Sequence, residues 1–469
     1  MHDLDLSSVG KTNQLYSDAE EILIRQSMSQ KEDALARMKR DIAQVEADLI
    51  RYKIALSPQK HLPDEVLSHI FVIAAEEHGP VGFPIRKNKL PPQLVLSHVC
   101  SRWRMLALHT SVLWSFVQCD IRNVEHLHHG WLGRAKNFPM FFKLLLPEGC
   151  TYSGNDNEIP NKIHKLASSL KVKILHLDLT FGQFTELSKL PNTVLPDIEK
   201  LRIKLISKQV GETFTTVPPI LTRLRSLEVH IVTNSLPPFP WSQLRYLSLP
   251  HLYGKRLIPI IDVLRQTPML QELRFVVYCN LGPVKQVTMP GLQKITLKFE
   301  VDSDANVNKL LQIFTCPALM EFYLDIKPRC TSETYGIIKQ QYNIKGLRIL
   351  VFGGWCTLPV SSILKDAPML RTLSLTETIM DYEAIAGISN ASLGRNLRSL
   401  CINRPCHVSQ VLNIVEARKR MADELIERGC NWREAIYILN DIFIFGTCSD
   451  HDSQRIDALE EAGIKFTVH

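Results

Sequence analysis

Histidine and cysteine are the residues whose chemistry is easiest to recognise in a sequence, and here neither forms a catalytic or metal-binding pattern. His126, His128 and His129 cluster, but no cysteine or acid stands at metal-ligand spacing beside them. That favours a solvated helix face over a metal site. No clearly poised histidine accompanies Cys401 or Cys406, so buried or half-buried thiols are favoured over a nucleophile.

Other motifs of catalysis are also missing from the sequence. It contains no GxxxxGK[ST], GxGxxG or HExxH pattern, and its serines, histidines and aspartates give no sign of a triad. We therefore expect a non-catalytic protein with no catalytic residues, no metal and no cofactor.

Composition describes an ordinary globular chain. Of its 469 residues, 45% are hydrophobic and 22% are charged, which excludes wholesale disorder. A net charge of +7 is small for this length, so we expect no nucleic-acid partner. Eleven scattered cysteines without a CxxC pair predict reduced thiols, hence a cytoplasmic or nuclear protein. The start resembles no signal peptide, and no apolar run is long enough for a membrane span.

A heptad pattern follows a polar segment, residues 1–20, that we expect to be mobile. Apolar residues recur at alternating steps of three and four, and Ile24 and Met28 extend the series backward. The series is Leu35, Met38, Ile42, Val45, Leu49, Tyr52 and Leu56. This is the a/d spacing of a coiled coil over residues 21–57, ended by Pro58. Self-association through 24–56 and a single helix docked on the rest of the protein both remain open.

Residues 58–120 predict a small helical module. Leu62-Pro63-Asp64-Glu65 places a proline and two acids at a helix start, where each is favoured. A loop over 76–93 separates this helix from a second apolar helix that runs from Leu94 to Ala107. A short turn and Leu113-Trp114 follow.

These residues resemble an F-box, specifically the basidiomycete-type F-box family of fungi. The resemblance rests on LPxEhLxxIF at Leu62–Phe71, VCxxWR at Val99–Arg104, and Leu113-Trp114. It implies a module that docks on a Skp-type adaptor and, through it, on a cullin-RING ubiquitin ligase. The residues it implies for adaptor contact are Leu62, Pro63, Val66, Ile70, Phe71, Val99, Cys100, Trp103, Leu106 and Trp114. Purely internal packing is the alternative for Leu62, Pro63, Ile70 and Trp103.

Downstream, the pattern h-x-x-h-x-h recurs ten times between Val172 and Ile402, at intervals of 20–28 residues. This period and core are typical of leucine-rich repeats. The asparagine or cysteine that usually follows the core is absent from every unit, so we predict irregular repeats. Apolar stretches such as Leu257–Leu264, Val307–Phe314 and Ser361–Asp366 would form the convex helices.

Residues between the repeated anchors would line the concave surface, because neighbouring residues of a strand point to opposite faces. The predicted target-binding residues are Lys200, Arg202, Lys204, Glu228, Arg274, Lys294, Lys298, Glu321 and Tyr323. Their mixed charge suits a protein target read by charge complementarity. A merely solvated surface is the alternative for each of them.

The predicted fold class is α/β: a coiled-coil helix, an all-α F-box module, and an irregular solenoid with concave parallel strands, convex helices and a terminal cap. A helix–strand connection over 121–168 would open the array at 169–405, and 406–469 would cap it. The predicted function is substrate recognition for a Skp-cullin-F-box ubiquitin ligase. A protein-interaction scaffold outside ubiquitin chemistry is the alternative.

Overall fold

The structure is a computed structural model that divides into two compact units, residues 1–73 and 74–469. The residues it describes are 9, 11, 15–56, 58–83, 85, 89–120, 127, 131–135, 138–145, 172–180, 184, 197–206, 221–231, 236, 238–252, 257–278, 285–300, 304–327, 330–355, 359–377, 380–402, 408–428, 438–444 and 448–468.

The first unit contains helix α1 and most of helix α2. α1 is one continuous helix, Asp18–Ala55, opened by a capping box between Ser17 and Glu20. It ends just before Pro58, where a short 3-10 turn, Pro58–Lys60, begins. None of its residues is buried. The predicted heptad helix is present, while most of the polar segment 1–20 lies outside the described residues.

The F-box region contains more elements than its sequence pattern predicts. α2, Asp64–Glu77, begins at the two predicted acids. The second half is two helices, α3 (Pro92–Val99) and α4 (Ser101–His109), rather than one. Cys100 separates them in extended conformation, and its sulfur accepts the backbone N–H of Trp103 at 3.4 Å, so it caps α4. A 3-10 turn, Ser111–Trp114, closes the region.

The second unit is built on one parallel sheet. Among the described residues, fifteen strands pair in chain order with parallel register. They are β1 (Val81–Phe83), β2 (Phe116–Asp120), β3 (Met140–Leu145), β4 (Val172–Thr180), β5 (Lys200–Ile206), β6 (Ser226–Ile231), β7 (Tyr246–Leu252), β8 (Glu272–Val277), β10 (Lys294–Phe299), β12 (Glu321–Ile326), β13 (Ile349–Trp355), β14 (Thr372–Glu377), β15 (Ser399–Ile402), β16 (Asp441–Ile444) and β17 (Lys465–Val468). Two short strands, β9 (Val287–Thr288) and β11 (Phe314–Thr315), form a separate pair.

Each predicted apolar trio is the core of one strand. All thirty anchor side chains are at most 7% exposed, and the residues between them are more accessible, except Ser248, which is buried. This alternation fixes the register of the sheet, because a shift by one residue would turn the leucines toward solvent. Burial of each anchor contributes roughly 1.5–3 kcal/mol. The repeats therefore form a leucine-rich-repeat-like solenoid.

Helices connect many of the strands, and successive helices contact one another. They are α5 (Leu132–Ala135), α6 (Leu257–Arg265), α7 (Asp304–Ile313), α8 (Ser332–Gln341), α9 (Val360–Asp366), α10 (Tyr382–Ser389), α11 (Val408–Glu427) and α12 (Asp450–Glu461). The three apolar stretches predicted as convex helices correspond to α6, α7 and α9. Two further 3-10 turns, Trp241–Gln243 and Ile344–Gly346, lie just before β7 and β13.

The sheet extends beyond the predicted array at both ends. β1 and β2 lie inside the predicted all-α F-box segment, yet Val81 pairs with Val117 and Val117 with Phe142 in the same parallel sheet. At the other end β16 and β17 continue it past residue 405, with Ser399 opposite Asp441 and Asp441 opposite Lys465. The cap is thus two further strand–helix units.

Candidate adaptor and target interfaces

Helix α2 carries an exposed apolar row in the first unit. Val66, Ile70 and Ile73 are 43–44% exposed and follow one another at the spacing of one helix face. Leu67 and Phe71 lie on an adjacent face, about 100° further round the helix, and are at most 1% exposed. The helix is therefore apolar on two faces, and a solvated face of this kind is typical of a surface that binds another protein.

In the second unit, helices α3 and α4 also expose apolar side chains. Val95, Val99 and Met105 are 50–61% exposed. Trp103 and Leu106 are half-buried, and Cys100 is exposed at the junction of the two helices. Four of the predicted adaptor residues, including Val99, are thus accessible here.

Phe71 and Trp114 differ from this pattern. Both side chains are 0% exposed, so in this structure neither reaches a surface where an adaptor could contact it. Their large apolar areas serve the interior instead. Pro63 is exposed and Leu62 half-buried just before α2.

Trp114 belongs to an aromatic cluster that joins the end of the F-box region to the start of the sheet. Its indole N–H donates to the carbonyl of Ala107 at 2.8 Å, and Trp131 donates to the carbonyl of Trp114 at 3.1 Å. The two rings meet edge to face with centroids 4.6 Å apart, and Arg134 lies 4.5 Å over the Trp114 ring. These contacts give Trp114 a structural role.

The strand positions that alternate with the buried anchors form rows across the sheet. One row runs through Ile174, Lys200, Ser226, Tyr246, Glu272, Lys294 and Glu321. The next row runs through His176, Arg202, Glu228, Ser248, Arg274, Thr296 and Tyr323. All nine predicted target-binding residues lie in these rows or in the following one, although they form two separate groups.

The first group, which we call the basic patch, consists of Lys143, Lys200, Arg202 and Lys204 on β3 and β5. Glu228 is held by Arg202, with Nε 3.5 Å from Oε1, and accepts a 2.7 Å hydrogen bond from His230. That hydrogen bond keeps the pKa of Glu228 below its usual value. Among the described residues, the three lysines make no ion pair, so the patch keeps an excess of positive charge.

His176 lies in register between Lys143 and Arg202. Partial burial, followed by the charge of Arg202, lowers its pKa to about 4. It is therefore a neutral side chain near pH 7 and contacts the Phe141 ring edge to face, with centroids 4.7 Å apart. Phe141 in turn lies 4.2 Å from Phe116. Aromatic rings beside cations are typical of protein-binding surfaces.

The second group spans β8, β10 and β12, and we call it the paired patch. Lys294 Nζ lies 3.3 Å from Glu272 and 3.7 Å from Glu321, which sit on either side of it in the sheet. Burial lowers the pKa of Lys294, but the two carboxylates outweigh this and raise it overall. Tyr323 donates to Glu321 at 3.3 Å.

A second lysine of the paired patch also forms ion pairs with carboxylates. Lys298 Nζ lies 3.0 Å from Glu300 and 3.5 Å from Asp325, and these contacts raise its pKa. Glu300 also binds Lys327 at 2.8 Å. Arg274 is exposed on β8 and makes no ion pair within the described part of the chain. The patch as a whole is close to neutral.

A further row of arginines escaped the sequence analysis. In five units an arginine directly follows the first anchor leucine: Arg225, Arg245, Arg348, Arg371 and Arg398. Backbone hydrogen bonds of 2.7 Å join Arg348 to Arg371 and Arg371 to Arg398, so these three lie on adjacent strands. The repeated dipeptide Leu-Arg was the available signal. The first two extend the positive surface beyond the basic patch.

Comparison with known proteins supports the helical module. The F-box-like family matches residues 60–119, from the 3-10 turn before α2 to β2. Residues 60–119 are an F-box-like domain. No curated protein matches the chain. Among solved structures it is similar to one titled "Crystal structure of TLR13-ssRNA13 complex", with 16% identity and a TM-score of 0.32 over 63% of this chain and 41% of that chain. The chain thus spans less than half of that protein's length.

The described residues contain neither a metal-binding cluster nor a membrane-spanning helix. No group of three or more histidine, cysteine or acidic side chains there is placed to hold a metal ion. No described helix combines the length and apolarity needed to cross a membrane. The predicted histidine cluster at 126, 128 and 129 lies outside the described residues, as does Cys406. Cys401 is half-buried, and none of the six described cysteines is in a disulfide.

Proposed function

We propose that this chain is the non-catalytic target-recognition subunit of a Skp-cullin-F-box ubiquitin ligase. The F-box-like domain would dock on a Skp-type adaptor in the cytoplasm or nucleus, and the concave sheet would hold a protein target. The chain itself would make no bond. It would raise the concentration of the target near a ubiquitin-loaded enzyme.

The observation that carries the adaptor half of the proposal is the exposed apolar row on α2 within the F-box-like domain. Val66, Ile70 and Ile73 lie on the sequence that matches the F-box-like family, and they are solvated in the chain alone. Three aliphatic side chains on one helix face need a partner that removes them from water. The resemblance to fungal F-box receptors supports a Skp-type adaptor as that partner.

The target half rests on the basic patch. Lys143, Lys200 and Lys204 are exposed or half-exposed and make no ion pair in the described structure, beside the solvated rings of Phe116 and Phe141. Unpaired cations on a preformed sheet favour an acidic segment, because the sheet pays no ordering cost on binding. We therefore propose that the target presents acidic residues to β3–β5.

The test is binding of the full chain to a purified Skp-type adaptor, measured by isothermal titration calorimetry. Ile70→Asp places a carboxylate in the apolar contact, and we expect at least a tenfold loss of affinity. Met269→Asp is the matched control, because Met269 is 54% exposed between α6 and β8, far along the sequence from the F-box-like domain. It should bind the adaptor as the native chain does.

Two results would contradict this proposal. The native chain could fail to bind the adaptor, or Ile70→Asp could bind it unchanged. The scaffold outside ubiquitin chemistry would then be the better interpretation. Leu62→Asp combined with Pro63→Ala offers a second test at the entrance to α2. Circular dichroism of each variant separates a lost contact from a lost fold.

A further inference from the structure

Helix α1 leaves a long apolar seam uncovered. Its seven heptad side chains are between 52% and 76% exposed, and no residue of the helix is buried. Amphipathic helices gain most of their stability from packing of the apolar face. A 38-residue helix with such a seam therefore requires a cover.

Charges beside the seam indicate what that cover is. With Leu35 at heptad position a, the e positions hold Glu32, Lys39, Glu46 and Lys53, and acids occupy two g positions, Asp41 and Asp48. In a two-stranded coil the e and g residues face those of the other helix and set its orientation. An alternating e series such as this one can pair with itself when the second helix runs in reverse.

We propose that α1 pairs antiparallel with α1 of a second copy of this chain. In the register we assign, Ile42 packs against Val45 of the second copy at the centre of the seam. Lys39 then lies opposite Glu46 of the second copy, and Glu32 opposite Lys53. Each pair occurs twice by symmetry, so four opposite-charge pairs flank the overlap of residues 31–56.

The same charges disfavour the parallel orientation. Parallel pairing joins each g residue to the following e residue, which matches Asp48 with Lys53 but sets Asp41 against Glu46. Attraction and repulsion cancel there. The antiparallel arrangement also has a like-charge pair, Asp41 with Asp48, which occurs twice by symmetry, but Arg51 lies 3.3 Å from Asp48 in its own helix and offsets it.

Neighbouring antiparallel registers are worse for different reasons. A seven-residue shift one way sets Lys39 against Lys39 and Glu32 against Glu46. A seven-residue shift the other way sets Lys39 against Lys53 and Glu46 against Glu46. A fourteen-residue shift in the first direction pairs Glu32 with Lys39 and Arg25 with Glu46, but it places Lys31 opposite Ile42 inside the seam. In the assigned register Lys31 sits at the end of the overlap, where its ammonium group stays in water.

The consequence is a receptor with two F-box-like domains and two concave sheets. Two sheets in one particle bind a multivalent target more tightly than either sheet alone. This inference does not depend on the proposed adaptor or target. It would stand if the chain served another kind of complex.

Sedimentation equilibrium of the full chain tests the pairing. Lys39→Glu and Glu46→Lys should each weaken self-association about three- to tenfold, because each turns two attractive pairs into repulsive ones. The double variant Lys39→Glu/Glu46→Lys should restore the native dissociation constant within about twofold. Arg40→Glu makes the same change of charge as Lys39→Glu at the outward f position, and it should have no effect.

Other outcomes would overturn the proposal, each in its own way. A chain that is monomeric at every concentration has no such partner in a second copy. If Glu46→Lys tightened association, the helices would be parallel, because Asp41 would gain an opposite charge. If the double variant were weaker than both single variants, the register that buries Lys31 would be the real one.

Discussion

Strands β5 and β10 carry lysines at the same two positions, yet the four side chains are in different states. Lys200 and Lys204 on β5 correspond to Lys294 and Lys298 on β10. The β10 pair makes four contacts with carboxylates, from 3.0 to 3.7 Å. The β5 pair makes no ion pair within the described residues.

Neighbouring strands, rather than the lysines themselves, produce this difference. Lys294 lies in register with Glu272 on one side and Glu321 on the other, whereas Lys200 lies between Ile174 and Ser226. In a parallel sheet each accessible residue is flanked by the residues one unit before and after it. Paired cations therefore hold the sheet together, while unpaired ones are free to bind a partner.

Arg418 is a fully buried cation, and we expect its substitution to have the largest effect on stability. Its side chain on α11 is 0% exposed and donates to the carbonyls of Ile388, Gly394, Arg395 and Leu397 at 2.8–3.3 Å. Arg418→Met removes a buried donor from all four carbonyls and should lower the free energy of unfolding by about 2–4 kcal/mol. Urea denaturation measures it. Arg420→Met, on the exposed side of the same helix, should change stability by less than about 0.5 kcal/mol.

The β5 lysines should matter most for binding. We expect Lys200→Gln/Lys204→Gln to weaken binding of a fluorescein-labelled decaglutamate peptide about five- to tenfold at an ionic strength of about 0.1 M, because two unpaired cations are lost. Fluorescence anisotropy of the full chain measures this effect.

The matched control for that variant is Lys294→Gln/Lys298→Gln. β10 lies four strands from β5, or about 19 Å at the usual strand spacing. This exceeds the Debye length of about 8–10 Å, so affinity should change less than about twofold. Equal losses in both double variants would erase the distinction between the two patches.

Stability should show the reverse order for the same positions. Lys294→Met leaves Glu272 and Glu321 without their shared cation and should cost about 0.5–1 kcal/mol of unfolding free energy. Lys200→Met removes no ion pair and should be neutral. Denaturant titration of both variants under one set of conditions decides the comparison. Equal stabilities would show that the ion pairs of Lys294 contribute nothing measurable to the free energy of unfolding.

Stability should also depend on pH through His176. The folded pKa of His176, about 4, is below the ordinary histidine value of 6.5, so the unfolded chain binds the proton more tightly. Stability should therefore fall as pH drops from 6.5 toward 4 and level off below that. His176→Asn should remove this part of the slope, as measured by denaturation at several pH values.

A companion variant links His176 to the basic patch. Burial is the largest cause of the low pKa, and the charge of Arg202 adds to it. Arg202→Gln should therefore raise the pKa of His176 partway toward 6.5 in an NMR titration. Lys294→Gln, in the paired patch, should leave it unchanged. An unaltered pKa in Arg202→Gln would show that burial alone sets it.

The repeat strands could be predicted because their signal is local. Leucines at fixed spacing, with accessible residues between them, define a strand and its buried face within six positions. The ion pairs of Lys294 could not be predicted from the sequence. They depend on carboxylates at positions 272 and 321, which only the register of the sheet brings beside the lysine. The burial of Arg418 could not be predicted either, since an arginine in an amphipathic helix ordinarily indicates the solvated side.

The F-box region shows the same limit. Apolar spacing predicted the helical segments of this region. The strands β1 and β2 could not be predicted, because they are short and depend on pairing that continues to β3. Phe71 and Trp114 looked like surface anchors because large apolar residues suit both an interface and a core. Only their burial separates the two roles.

Because the sheet is continuous, the number of strands sets the distance between any two sites on it. β2, at the end of the F-box-like domain, and the basic patch on β5 belong to one sheet, three strand steps apart, or about 14 Å. The paired patch on β10 lies seven steps from β2, or about 34 Å. Gain or loss of one repeat before the basic patch would move that patch by about one strand spacing relative to β2. Under the proposed function, the number of repeats would therefore set how far from β2 a target is held.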